Sequence, residues 1–368
     1  MPTPLLYLRG VTHQLTRDEA RRIVVRAERL DADRPTDVVG IAEEIGAIKI
    51  DPTNTIAPAE HTILWSRIGS AYDTAILSKA AETDWLLFEF DGAFRPTSLL
   101  PLMLPAMRRW PTHPRSIEWM AANDRFRTEV LARLRGEGPL LASQIPDTAA
   151  VERASDGWYG PNQVVHMLDA LQQQGEIAVA GREGRHRRWD LAERVYPQNL
   201  PEYGFDEAQH LLHERRLQSA GIARQKSPHT PVGDAGEPAV IEGMTQKWRV
   251  DPEAVVALEH DEGGRVAFLS PYDGILFDRP RLESLFEFSY VLEQFKPKPQ
   301  RRYGYFAHPI LMGDRFVGLL DAEVDRKREV LVVNAVHELL PFDPEEVEMV
   351  RAEIDDLAEW LGVEVAEW

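Results

Sequence analysis

Lys49 and Asp51 lie two residues apart in the run Gly46-Ala-Ile-Lys-Ile-Asp51-Pro-Thr-Asn54. A two-residue repeat puts Ile48 and Ile50 on one face of an extended segment, and Lys49 and Asp51 on the other. The isoleucines are expected to pack inward. Pro52 ends the ladder and Asn54 suits a turn, so Asp51 falls where a strand opens into a loop, a common position for a functional group. A carboxylate there can stabilise a cationic centre and position water. It can equally cap the Pro-Thr-Asn turn and pair with Lys49, and spacing alone leaves both readings open.

Composition narrows the chemistry. The 368 residues include no cysteine, which excludes disulfides, thiolate zinc sites and iron–sulfur clusters, so any catalysis rests on oxygen and nitrogen groups. The eleven histidines are scattered. His210 and His213 share helical spacing on a polar face without a third ligand, and neither a metal nor a cofactor is expected. No apolar run approaches membrane length, and the Met1-Pro-Thr-Pro start lacks a basic stretch leading into an apolar one. The expectation is a cytoplasmic protein.

A net charge of −18 opposes nucleic-acid binding only if it is evenly spread. From Asp343 to Trp368, ten acids face Arg351 alone, a net of −9 and half of the total. Elsewhere basic residues cluster: Arg182, Arg185, Arg187 and Arg188, then Lys296, Lys298, Arg301 and Arg302. Each cluster fits phosphate contact or a solvated, salt-bridged face.

Periodicity divides the chain into five segments. Over 1–110, Thr16 caps a helix with Ala20, Ile23, Val24 and Ala27 inward; a second helix follows Thr36, then the Lys-Ile-Asp strand. Over 111–197, a helix carries Phe126, Val130 and Leu134. Pro161 opens another with Val164, Leu168 and Leu171, and a hairpin turns at Gly181–His186. That order is a winged helix-turn-helix, whose arginine-rich wing suits phosphate. Over 198–262, a helix at 205–220 and a Pro/Gly-rich stretch read as a third, interrupted unit. Over 263–342, runs at 265–269, 303–310, 314–324 and 330–336 predict an antiparallel sheet or small barrel. Over 343–368, an acidic amphipathic helix closes the chain, with Val347, Val350, Ile354, Leu357 and Leu361 inward.

Several segments together resemble a known family. Leu269-Ser-Pro-Tyr-Asp273, Phe277-Asp-Arg279, Arg281, Leu285-Phe286, Phe288, Tyr290, Arg301-Arg-Tyr-Gly-Tyr-Phe306, Pro309 and Val317-Gly318 are similar to winged-helix DNA glycosylases of the YcaQ/AlkZ type, and so are Asp51-Pro-x-Asn54 and Leu64-Trp-Ser-Arg-Ile-Gly69. The resemblance implies an α+β protein: tandem winged helix-turn-helix modules in a C-shape with a C-terminal antiparallel β-barrel-like domain. It implies a monomeric, metal-independent enzyme acting on double-stranded DNA with alkylated or crosslinked bases. Catalysis in the family is assigned to a Gln-apolar-Asp or Gln-apolar-Gln tripeptide, which falls on Lys49-Ile50-Asp51. The carboxylate is kept and the glutamine is replaced by lysine. Phe90-Asp91-Gly92 stands where relatives carry an aromatic-Ala-His tract.

Asp51 and Lys49 are therefore the candidate catalytic residues. The DNA-binding candidates are Asn54, Trp65 and Arg67 near them, Arg185, Arg187 and Arg188 on the wing, and Arg301, Arg302 and Tyr303 at the mouth of the barrel. Trp65 fits core packing equally well, Tyr303 fits the barrel interior, and Arg301 and Arg302 fit internal ion pairs. The alternative from another class is a DNA-binding protein that has lost catalysis. A repressor would dimerise on spaced half-sites, and the chain carries no dimerising heptad.

Overall fold

The computed structural model describes residues 11–153, 162–260 and 263–366; Pro161 and the Met1-Pro-Thr-Pro start lie outside them. The fold is mixed α+β. The chain forms two compact units, Met1–Thr74 with Leu212–Trp368, and Ala75–Leu211.

In the first unit, Thr16 and Glu19 form a reciprocal capping box that starts helix Arg17–Ala27, which buries Ala20, Ile23, Val24 and Val25. Asp37 caps helix Val38–Ile45, which ends at Gly46 in the left-handed conformation, φ 76°. That stop sets the direction of the next strand. Only Ile48–Lys49 is regular strand, shorter than the extended segment that the alternation of Ile48 to Asp51 predicts. Helix Ala59–Ile68 follows and is buried from Thr62 to Ile68, all the way round. A helix without a polar face has no amphipathic stripe, which is why its period is silent in the sequence.

Helix Phe205–Ala220 enters this unit and leads into a four-stranded sheet ordered His13–Leu15, Glu237–Ile241, Trp248–Val250, Ile222–Arg224. The first pair is parallel and the other two are antiparallel. A second sheet runs Val266–Phe268, His308–Met312, Arg315–Asp325, Val330–Glu338, Glu364–Val365. Bulges after Ile310 and Asp321 give it the curl of a half-barrel. Two expectations change. The sheet is not wholly antiparallel, because Glu364–Val365 pairs parallel with Val330–Leu331. Residues 301–307 are loop and the strand begins at His308, since Glu293 takes the Arg302 and Tyr303 N–H groups that a ladder would use.

The acidic helix Pro344–Leu361 starts at an Asp343–Glu346 capping box and buries Val350, Ile354 and Leu357; Val347 is only half-buried. Its Trp360 stacks on Trp65 and Tyr72, at 6.0 and 5.9 Å between ring centres.

The second unit contains the hairpin Leu87–Phe90/Ala93–Pro96, turned at Asp91-Gly92 with both φ positive, as tight hairpins require. Helices Pro114–Ala122, Asp124–Glu137 and Gln163–Gln173 pack Phe126, Val130, Leu134, Leu168 and Leu171 into one core. Strands Leu140–Leu141, His186–Leu191 and Ile177–Glu183 complete it.

Candidate active site

Asp51 sits two residues beyond the short strand and is 8% exposed. Its Oδ1 accepts the Thr53 N–H at 2.9 Å, and its own N–H meets Glu60 Oε2 at 3.3 Å. The turn-capping reading of the sequence is thus realised, but with one carboxylate oxygen. Tyr272 donates its hydroxyl to the same carboxylate. Burial, and then the Asp51 charge, push the phenol up to about 12, so it is held protonated as a donor.

Tyr272 is in turn fixed by Gln294, whose Nε2 donates to the phenol oxygen at 2.7 Å. Gln294 Oε1 accepts from the Thr53 hydroxyl at 3.4 Å. Asp51, Tyr272, Gln294 and Thr53 therefore close a ring of hydrogen bonds that joins the loop after the strand to two loops of the half-barrel. Such a ring holds a carboxylate in one orientation.

Local sequence explains how the ring members arrive. Leu269-Ser-Pro-Tyr-Asp273 folds back on itself: the Ser270 Oγ accepts the Tyr272 N–H at 3.3 Å and the Ser270 carbonyl accepts the Asp273 N–H at 2.9 Å. The phenol consequently faces Asp51, while the next side chain faces the interior. Asp273 there holds Arg67 through both guanidinium nitrogens, one at 3.0 Å. Gln294 is a corner of a turn closed by the Lys296 N–H on the Glu293 carbonyl at 2.9 Å. The Glu293 carboxylate accepts the N–H groups of Arg302 and Tyr303 at 2.7 and 2.8 Å and the Lys296 ammonium at 2.7 Å. Burial alone would raise this acid, but these hydrogen bonds bring its carboxyl below the usual range.

Of the candidates read from sequence, Lys49 is half-buried on the strand beside Asp51. Asn54 braces the loop: its Oδ1 accepts from Arg326 at 2.5 Å, and the Thr55 carbonyl accepts the Val324 N–H at 2.8 Å. Tyr303 packs edge-on against His337, and the Arg302 guanidinium lies 4.8 Å over the Tyr303 ring. Arg301 donates to the Lys296 carbonyl at 2.9 Å and lies 4.8 Å over Tyr305.

Two candidates must be corrected. Trp65 is 1% exposed, with its indole N–H on Asp356 Oδ2 at 3.1 Å. Arg67 has no exposed side chain and, besides Asp273, it donates to the Glu28 carbonyl at 3.1 Å and Ser66 Oγ at 2.9 Å. Neither can reach DNA, because an aromatic and an ionic core enclose them. In the second unit Arg187 is committed to Glu89, which also takes Arg182 at 2.6 Å. Arg185, at the exposed hairpin turn, and Arg188 remain at the surface.

Sequence reasoning assigned no role to Tyr272, Gln294 or Thr53. Tyr272 lies within the Leu269–Asp273 motif and Thr53 between Asp51 and Asn54, so the sequence signal was local to both; Gln294, 243 residues from Asp51, carries no spacing signal. Among the described residues no cluster of acids and histidines could hold a metal ion, and no helix is long and apolar enough to cross a membrane.

The family model described as DNA glycosylase AlkZ-like matches residues 42–360. Among solved structures, the fold is similar to the Streptomyces sahachiroi DNA glycosylase AlkZ, with a TM-score of 0.65 at 14% identity, covering 96% of this chain and 99% of that one.

Proposed function

The chain belongs to the AlkZ-like DNA glycosylases, hydrolases that act on glycosyl bonds in DNA repair, and we propose that it releases N7-alkylated guanine from duplex DNA with Asp51 as its catalytic group. The observation that carries this reading is the hydrogen-bonded ring around Asp51, which fixes a largely buried carboxylate at the mouth of a loop. A guanine alkylated at N7 already bears positive charge, so it leaves with the C1′–N9 bonding electrons and needs no general acid. The deoxyribose becomes oxocarbenium-like. A fixed carboxylate stabilises that charge and orients the water that bonds to C1′, and the water's proton passes to the carboxylate or to solvent. A base crosslinked through N7 leaves by the same cleavage, so unhooking falls within the same chemistry.

Lys49 supports the site as a cation beside Asp51 or as a phosphate contact. A third role is attack of its amine on C1′ with departure of the base, which would leave an adduct that borohydride traps. For DNA, Arg185 and Arg188 on the hairpin of a winged-helix module, and Arg301 and Arg302 beside the half-barrel, are the cationic contacts. The protein acts as a monomer.

The experiment is single-turnover release of 7-methylguanine from a duplex, with borohydride added in parallel, for the native protein and Lys49→Gln. Release without a trapped adduct from both proteins is expected. No release of 7-methylguanine, or of a crosslinked base, would replace this reading with that of a DNA-binding protein without catalysis.

A further inference from the structure

Asp51 is buried but lies past the end of the Ile48–Lys49 strand, so the ladder does not take its main-chain groups. A buried backbone N–H or carbonyl has to find its partner elsewhere. Both find it in one place, the first turn of helix Ala59–Ile68. The Asp51 N–H donates to Glu60 Oε2 at 3.3 Å, and the Asp51 carbonyl accepts the Ala59 N–H at 3.1 Å. The ring of Tyr272, Gln294 and Thr53 fixes the carboxylate at the end of its side chain, whereas this pair fixes the backbone from which the side chain springs.

The turn that supplies the pair is well anchored. Pro58 opens the helix without a side-chain cap, and the Thr62 hydroxyl closes back on the Ala59 carbonyl at 3.1 Å. At the far end of the helix, Arg67 is locked to Asp273 in the ionic core. Glu60 is the acidic residue of the first turn and half-buried, at the positive end of the helix, which favours a carboxylate. The middle of the loop is held separately. Arg326 donates to the Asn54 carbonyl at 3.3 Å and to the Ile56 carbonyl at 3.4 Å, and the Thr55 carbonyl accepts the Val324 N–H at 2.8 Å. Removal of the Glu60 acceptor therefore loosens the Asp51 end of the loop and leaves the rest in place.

Resting on the Asp51 reading, we propose that Glu60 is a positioning residue for base release, whose carboxylate holds the Asp51 main chain so that the Asp51 carboxylate keeps one orientation toward the sugar. A reacting group displaced by a fraction of its bond length to the substrate loses much of its effect, even when its chemistry is intact. Glu60 acts through Asp51 and need not touch the DNA.

The test is single-turnover release of 7-methylguanine from a duplex by the full chain, with duplex affinity and urea unfolding measured on the same samples. Glu60→Ala and Glu60→Leu, which remove the acceptor, should slow release at saturating protein by about 10- to 100-fold while affinity stays within about twofold. Glu60→Gln keeps an acceptor oxygen at the same reach and should restore release to within about threefold of native. Native rates from Glu60→Ala and Glu60→Leu, or a Glu60→Gln variant as slow as they are, would overturn the role of Glu60, and so would rates that simply follow the unfolding midpoints. Absence of release from the native protein would instead overturn the Asp51 reading.

Discussion

Arg67 offers a test that separates an ionic core from a DNA contact. Arg67→Met removes a guanidinium with no exposed surface and leaves Asp273 buried without its bidentate partner. It also strips Glu28 of a neighbour whose nitrogen lies 3.6 Å from its carboxylate. Burial, and then the Asp273 charge, already push Glu28 well above the usual carboxylate range, against the pull of Arg281 and Arg67. Without Arg67 that push grows. Breaking a buried ion pair on one side costs about 3–5 kcal/mol, because the other charge is left uncompensated. The loss has a pH sign. Glu28 binds its proton more tightly in the folded state, so its contribution falls as pH rises from its unfolded value through its raised one. Arg67→Met should therefore be more destabilised at pH 8 than at pH 6, measured by urea unfolding followed by circular dichroism. Asp273→Leu in the same chain should recover part of the loss. The dependence of DNA affinity on salt should not change. A loss under about 1 kcal/mol with a shallower salt slope, the sign of a lost phosphate contact, would refute the reasoning.

Two further outcomes follow from the geometry. Tyr272→Phe removes the donor to Asp51 and should slow single-turnover base release by about 10-fold while DNA affinity stays within about twofold; a matching loss of affinity would assign Tyr272 to binding instead. His61, 2.9 Å from the Tyr72 hydroxyl, is lowered by burial to about 4, so it is neutral in the fold and charges on unfolding. Its contribution is complete above about pH 6.5 and is lost as pH falls toward 4, about 3 kcal/mol in all. His61→Gln should flatten that part of a stability profile measured by denaturant titration at each pH, and an unchanged slope would contradict the burial argument.

What was legible in the sequence follows from where the signal lies. Caps are local, so Thr16 marks a helix start that the structure keeps. The place of Asp51, where a short strand opens into a loop, was legible for the same reason: proline and asparagine punctuate the chain on the spot. Helix Ala59–Ile68 was not, because full burial erases the polar face that periodicity needs. Trp65 and Arg67 show the limit of reading residue types. An arginine and a tryptophan near a site look like nucleic-acid contacts, and only the third dimension supplies Asp273, Glu28 and Trp360 as their partners. Gln294 reaches Asp51 through pairing of distant loops, which spacing cannot encode.

The measurement that bears most directly on the account is the single-turnover rate of 7-methylguanine release by Asp51→Asn beside the native protein, with duplex affinity measured on the same samples. Asparagine keeps the size and the acceptor for Thr53 but removes the charge. The account predicts a fall of about 100- to 1000-fold with affinity retained. Release by Asp51→Asn at the native rate would contradict it.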